Sequence, residues 1–389
     1  MIVGVQRESY PGERRVALVP THLPRLGKAG LEVCVEAGAG DGAGFPDATY
    51  ESSGARIVPD RRALCSEADL LLAVHGPGAS ADRRAEELGL LRREQVVVGL
   101  LNPLGAPENG QALAERGVIG FALELLPRIS RAQPMDALSS MATVAGYKAV
   151  LLAAAELGKM FPMMITAAGT ITPARVFVIG AGVAGLQAIA VSHRLGAVVH
   201  AYDVRPAVKE QVESLGAKFV EMALETQAAE DASGYAKAMG EEFYQRQREL
   251  MGRAVADSDV VITTAAVPGK RAPVLITREM VLSMAPGSVV VDLAAEGGGN
   301  CELTRAGETV QLDGVTILGP VNLPATVPNH ASQMYSSNVT AFVSNLIKDG
   351  RVDLDGDDPI VNDTLLTREG KVVSTRVREL LASEERRSS

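Results

Sequence analysis

Val176-Phe177-Val178-Ile179-Gly180-Ala181-Gly182-Val183-Ala184-Gly185-Leu186-Gln187-Ala188-Ile189-Ala190-Val191 decides the fold of this 389-residue chain. An apolar run of strand type enters a tight glycine turn and leaves as a helix-like segment. Each glycine has its own reason. The first lets the backbone turn, the second lets it approach a pyrophosphate without a Cβ in the way, and the third lets helix and strand pack closely. The helix N-terminus then offers unpaired N–H groups to phosphate oxygens. A second strand-like run, Val198-Val199-His200-Ala201-Tyr202, ends at Asp203. An acid about 20 residues beyond the glycines is placed to bind both hydroxyls of an adenosine ribose. The glycine pattern alone is a weak signal, because small-residue turns are common; with both strands and the acid it predicts a dinucleotide-binding unit.

Composition narrows the setting. With 47% hydrophobic residues the chain can bury a large core, and its length predicts two domains. A net charge of −9, with no basic tract, argues against nucleic acid or an anionic membrane surface as a direct partner. The apolar stretches at residues 96–101 and 149–155 end at polar residues, well short of the roughly 18 needed to span a bilayer. The N-terminus opens on a strand-like run and lacks the basic-then-apolar pattern of a signal peptide, so a cytoplasmic location is expected. Cys34, Cys65 and Cys301 are scattered, with neither CxxC spacing nor nearby histidines, so they read as reduced, mostly buried residues and no metal site is expected.

Strand-like runs alternate with helix-like ones along the chain, the pattern of parallel sheets wrapped by helices. One set lies at residues 2–5, 32–36, 56–58, 70–74, 96–100 and 120–122; a second at 176–179, 198–202, 218–220, 260–263, 288–292 and 316–318. Between them, residues 139–161 are rich in Ala and Met with helical spacing, and residues 333–347 read as a helix returning to the first domain. The fold class is therefore α/β, with two Rossmann-like doubly wound parallel-sheet domains separated by a cleft. The expected boundaries are a discontinuous first domain of residues 1–138 and 328–380, a nucleotide-binding domain of residues 139–327, and a flexible tail of residues 381–389.

Several segments carry a specific resemblance: Gly4-Val5-Gln6-Arg7-Glu8 and Glu13-Arg14-Arg15-Val16-Ala17-Leu18-Val19-Pro20 near the start, then the loop Pro127-Arg128-Ile129-Ser130-Arg131-Ala132-Gln133-Pro134-Met135-Asp136-Ala137-Leu138-Ser139-Ser140 with Ala145-Gly146-Tyr147. Val291-Asp292-Leu293-Ala294-Ala295-Glu296-Gly297-Gly298-Gly299-Asn300 and Asn322-Leu323-Pro324 follow in the same order. Over about residues 1–380 the chain resembles the family that joins alanine dehydrogenases to the NAD(H)-binding component of proton-translocating NAD(P) transhydrogenase. The loop favours the transhydrogenase branch. That branch implies hydride transfer between NAD(H) bound here and NADP(H) on a beta subunit, coupled to proton movement by membrane subunits including alpha-2. It also implies a homodimer held at the cytoplasmic face of the inner membrane through its partners. A split subunit and an excised domain of a longer polypeptide look the same at this level.

The alternatives are an alanine dehydrogenase-like enzyme and a non-catalytic NAD-sensing module. An amino-acid dehydrogenase needs a proton acceptor and a cation for the substrate carboxylate. Where the dehydrogenases carry a Lys and a His, the matching segments read Val74-His75-Gly76-Pro77 and Leu100-Leu101-Asn102, so both positions are changed. His75 reads as a hydrogen-bonded histidine at a strand end, Arg15 as structural, and Glu296 stands where the dehydrogenases carry an aspartate. A sensing module leaves the 128–139 loop without a purpose.

Hydride transfer between two nicotinamides requires ring positioning within about 3 to 3.5 Å, without acid or base chemistry. The resemblance implies that Arg128, Asp136 and Ser139 orient the NAD(H) carboxamide, to which they offer complementary donors and acceptors. It also implies that Gln133 reaches the NADP(H) ribose on the other subunit. Pro134 departs from the Ser common in the family and stiffens the loop. Candidate cofactor-binding residues further include Gly180, Gly182, Val183, Ala184, Gly185, Asp203, Val204, Arg205, Thr264, Ala265 and Ala266. Residues 221–242, rich in Ala, Glu, Asp and Gly, read as a flexible loop, and the resemblance implies that this loop closes on bound nucleotide with Tyr235 and Met239 among its contacts.

Overall fold

The strand-like runs become two sheets in the computed structural model, which describes residues 1–221, 241–266, 269–354 and 356–388. The chain divides into one unit of Met1–Met141 with Pro324–Ser389 and a second of Ala142–Leu323. These boundaries fall a few residues from the 138 and 328 expected from the sequence.

In the first unit an eight-stranded sheet runs Lys371–Val372, Leu365–Arg368, Ile119–Ala122, Val96–Leu100, Leu70–His75, Ile2–Val5, Glu32–Glu36, Arg56–Val58. The strands from Ile119–Ala122 to Arg56–Val58 are parallel. Leu70, Leu71, Leu72, Ala73 and Val74 are all fully buried, as expected where helices cover both faces of a parallel sheet. Leu365–Arg368 joins antiparallel, a strand the sequence did not announce. Thr367 explains the join: its Oγ accepts the Gly120 N–H and donates to the Val118 carbonyl, both at 2.8 Å. The return helix, Pro328–Leu346, starts earlier than its apolar spacing predicts, because proline is well suited to a first helical turn. Residues 381–388 continue the helix Thr375–Ser388, where the sequence suggested a flexible tail; Val377, fully buried, anchors that helix.

The second unit holds a seven-stranded sheet in the order Lys218–Phe219, Val198–Tyr202, Arg175–Ile179, Val260–Thr263, Val289–Asp292, Val315–Leu318, Thr309–Leu312. All pairs are parallel except the last. Its core includes Val176, Val178, Ala188, Ile189, Val260, Ile262 and Val291.

Ala137–Glu156 is one 20-residue helix that begins in the first unit and continues in the second. Among the described residues it alone is long and apolar enough to cross a membrane, a helix that counting uninterrupted apolar runs misses. Ser, Thr, Gly, Tyr and one Lys interrupt the run without breaking the helix. Ala149, Val150 and Ala153 are fully buried in the second unit's core, which makes it a core helix. Cys34, Cys65 and Cys301 are free and buried, and burial pushes each thiol up to about 11.

Candidate functional site

The second unit's strand Arg175–Ile179 delivers Gly180 with φ +98°, a left-handed conformation that favours glycine. A Cβ there would lie 2.5 Å from the Thr264 hydroxyl, which donates to the Gly180 carbonyl at 3.0 Å. A Cβ on Gly185 would meet the Gly180 carbonyl oxygen at 1.8 Å, so only glycine lets helix Val183–Arg194 pack on the turn. Gly182 differs from both. Its φ is −75° and, among the described residues, a Cβ there would meet nothing within 4 Å. No described residue demands glycine at that point, and open space lies before a helix whose first turn has neither a side-chain cap nor an acid. This geometry fits a bound pyrophosphate, whose oxygens need backbone N–H donors and room to approach. Val183, 39% exposed, and Ala184 follow on that first turn. Gly146, on the helix Ala137–Glu156, packs against this turn: its Cβ would sit 2.1 Å from the Ala184 carbonyl oxygen. In the sequence Gly146 stands out only through the family resemblance, because the contact that requires glycine there joins segments 38 residues apart.

Asp203, at the end of strand Val198–Tyr202, is buried and fully engaged. Oδ2 accepts the Ala181 N–H at 2.7 Å and the Arg205 guanidinium at 2.9 Å; Oδ1 accepts the Arg205 backbone N–H at 2.8 Å and its Nε at 2.9 Å. A carboxylate has about four lone-pair sites, so these four donors fill it. The side chain expected to meet a ribose thus holds the glycine turn, its charge balanced by Arg205. Val204 is half-buried between them. Thr264 and Ala265, half-buried, and Ala266, exposed, continue from strand Val260–Thr263. Tyr235 and Met239 lie outside the described residues.

Arg128, Gln133, Asp136 and Ser139 belong to the first unit. Asp136 and Ser139 come together at the start of helix Ala137–Glu156: Asp136 Oδ1 accepts the Ser139 N–H at 2.9 Å and Oδ2 accepts its hydroxyl at 2.6 Å. This is an N-terminal cap of ordinary type. Arg128 is exposed, as is Gln133, whose side chain makes no hydrogen bond to another described residue. The intervening 3-10 helix Ser130–Met135 is pinned by the buried Ala132 and Met135. Asn338 of the return helix adds a bond to the Pro134 carbonyl at 2.8 Å. Arg131 grips Asp358 at 2.5 Å and holds that carboxyl down near 2. The loop backbone is fixed while Gln133 projects from it.

The positions that would serve an amino-acid dehydrogenase are also in the first unit, apart from Glu296. Arg15, 3% exposed, makes a two-point ion pair with Glu13 at 2.8 and 2.6 Å. His75 Nε2 lies 3.0 Å from the same carboxylate, and the ring stacks on Tyr10 with centroids 4.3 Å apart. Asn102 donates its N–H to Glu124, whose carboxyl burial pushes up. Glu8 accepts the Val74 and His75 N–H groups, and burial raises it to about 7. Glu296, in the second unit, accepts the Asn322 N–H at 3.3 Å. The protein's own Glu13 thus occupies the guanidinium that a substrate carboxylate would need.

Two family descriptions match the chain: "Alanine dehydrogenase/PNT, N-terminal domain" over residues 4–145 and "Alanine dehydrogenase/PNT, C-terminal domain" over residues 149–375. The first portion of the split alpha subunit of NAD(P) transhydrogenase from Rhodospirillum rubrum is 46% identical over 376 residues, covering 96% of this chain and 98% of that protein. An alanine dehydrogenase of Halomonas elongata is 32% identical over 391 residues, covering 99% and 98%. A crystal structure of transhydrogenase from Sinorhizobium meliloti superposes with a TM-score of 0.83 at 44% identity, covering 96% of this chain and 99% of that one.

Proposed function

The chain belongs to the alanine dehydrogenase/PNT family, and we propose that it is the NAD(H)-binding alpha-1 subunit of a proton-translocating NAD(P) transhydrogenase. Transhydrogenase alpha subunits are its nearer relatives, at 41–46% identity, and alanine dehydrogenases are more distant. The observation that carries the reading is Gly182, where the protein leaves open space in front of an uncapped helix N-terminus. Bound NADH supplies the hydride, and the chain's own residues bind and orient.

In this reading residues 142–323 form the NAD(H)-binding domain. Gly180 and Gly185 shape the phosphate turn, and the N–H groups of the first helical turn bind the pyrophosphate. Asp203, Val204 and Arg205 border the adenosine ribose, with Thr264, Ala265, Ala266 and Tyr235 completing the contacts. Arg128, Asp136 and Ser139 orient the nicotinamide carboxamide. Gln133, exposed on an anchored loop, reaches the NADP(H) of the beta subunit. The catalytic contribution is positioning, which by itself removes much of a transfer barrier.

The partners proposed are the membrane subunit alpha-2, the beta subunit and a second copy of this chain, with the protein peripheral at the cytoplasmic face of the inner membrane through those subunits. Support for the second copy comes from the hairpin of Met164–Thr166 and Gly169–Ile171, where Met163 is 58% and Ile165 77% exposed. Apolar surface concentrated on a projecting hairpin is suited to burial against another protein.

The test mixes this chain with an isolated NADP(H)-binding domain and follows hydride transfer by stopped flow, with NADH titration of the chain alone. Binding and transfer are expected. NADH binding without transfer would favour the sensing module, and steady turnover of pyruvate, ammonia and NADH would restore the dehydrogenase.

A further inference from the structure

The second unit buries a side-chain amide directly against the candidate cofactor segment. The sheet ladder along Val260–Thr263 ends when the Thr264 N–H donates to the Ile179 carbonyl at 2.9 Å. Beyond it, no strand among the described residues takes the N–H and carbonyl of Ala265. Asn300, fully buried, takes both. Its Oδ1 accepts the Ala265 N–H at 3.0 Å, and its Nδ2 donates to the Ala265 carbonyl at 2.8 Å and to the Pro273 carbonyl at 2.8 Å. Only a carboxamide of this length offers an acceptor and two donors at once.

Asn300 is itself held. Its backbone N–H donates to Asp292 Oδ2 at 2.7 Å, and the fully buried Asp292 also accepts from the Cys301 N–H at 2.9 Å and from the Thr304 hydroxyl at 2.6 Å. Asp292 Oδ1 takes the Thr263 hydroxyl at 2.9 Å and the Ala294 N–H at 3.0 Å. On the other side Thr264 is tied to the Gly180 carbonyl. The segment is therefore clamped between the glycine turn and Asn300.

We propose that Asn300 is a positioning residue for dinucleotide binding, its carboxamide holding residues 264–266 in the conformation that receives the nucleotide. The inference rests on the NAD(H) reading above. Asn300→Asp keeps the shape and the acceptor but sets a carboxylate oxygen against two carbonyls at the former Nδ2 position. Protonation returns one donor. NADH affinity relative to wild type should therefore fall at least tenfold at pH 8 and recover several-fold at pH 5.5. Among the described residues Asp292, Cys301, Arg271 and Arg248 are titratable groups around the site, and comparison with wild type at each pH removes their contribution. Asn300→Ser is neutral but too short to span Ala265, so it should weaken NADH at least fivefold and equally at both pH values.

The measurement is NADH fluorescence titration of the full chain, with near-UV circular dichroism to establish folding. If the Asp variant fails to fold, the Ser variant carries the test. Equal affinities for wild type and Asn300→Ser, or a loss in Asn300→Asp that is the same at both pH values, would overturn the proposal. A wild-type chain that binds no NADH would instead overturn the NAD(H) reading.

Discussion

The strand ends of the first unit are filled by the protein's own charged side chains, whereas the second unit leaves its glycine turn open. After Leu70–His75 the Glu13–Arg15 ion pair, His75 and Glu8 close upon one another. After Arg175–Ile179 the chain meets three glycines, and among the described residues a Cβ at Gly182 would meet no atom within 4 Å. Both sheets are mostly parallel α/β sheets, a fold whose ligands gather at the carboxyl ends of strands. Such a fold only offers a binding position. Residues at and beyond the strand ends decide whether it is used.

Closing the open turn should have the largest effect. Gly185→Ala drives a methyl into the Gly180 carbonyl oxygen and should destabilise the second unit by about 3 kcal/mol or more, seen in urea unfolding. Wild-type stability in that variant would mean the turn is looser than its glycines imply. Gly182→Ala makes the complementary cut. Because its methyl meets no atom of the described residues within 4 Å, the unfolding midpoint should hold while NADH affinity drops roughly 30- to 100-fold, about 2 to 3 kcal/mol. Retained affinity would remove the pyrophosphate from that position.

The filled unit can be probed by pH. Burial raises Glu8 from 4.5 to about 7 in the folded chain, so the native state holds that proton more tightly than the unfolded chain does. Its stabilising contribution is fully present below pH 4.5 and is lost as pH rises through about 7. Glu8→Gln cannot titrate, so the change in stability between pH 5 and pH 8 should shrink by about 2 kcal/mol. Thermal melts at the two pH values decide it; an unchanged difference would show that the proton is bound elsewhere. The smallest effect is expected at the exposed loop. Gln133→Asn shortens the side chain by one methylene and should slow hydride transfer about tenfold, with NADH affinity within about twofold of wild type. Equal losses in both quantities would return Gln133 to the NAD(H) site itself.

The parallel strands were legible because both of their faces are covered, which writes runs such as Leu70-Leu71-Leu72-Ala73-Val74 into the chain. The antiparallel strand Leu365–Arg368 was not, because its place depends on pairing with Ile119–Ala122, where the Thr367 hydroxyl meets the Gly120 N–H 247 residues away. The 20-residue core helix escaped the count of apolar runs for a related reason: helical burial tolerates scattered polar residues that end a continuous run. Among site residues, Asp136 and Ser139 lie three apart on a helix start, so their contact follows from local geometry. The saturation of Asp203 also has a local cause, since Arg205 is two residues on, yet residue types alone did not say that all four lone pairs would be used.

The α/β class, the order of the parallel strands, the glycine turn and the family were all written in the sequence. Those depend on periodicity and on neighbours a few residues apart, where covalent connection sets the distance. Which glycines are forced by contact and which leaves room, as at Gly146, Gly185 and Gly182, emerged with the folded chain alone. So did the filling of the Arg15 fork by Glu13 and the service of Ala265 by Asn300 from 35 residues away. A hydrogen bond or a steric exclusion acts over a few ångströms, and no spacing along a chain fixes such a distance until the sheets have brought remote segments together.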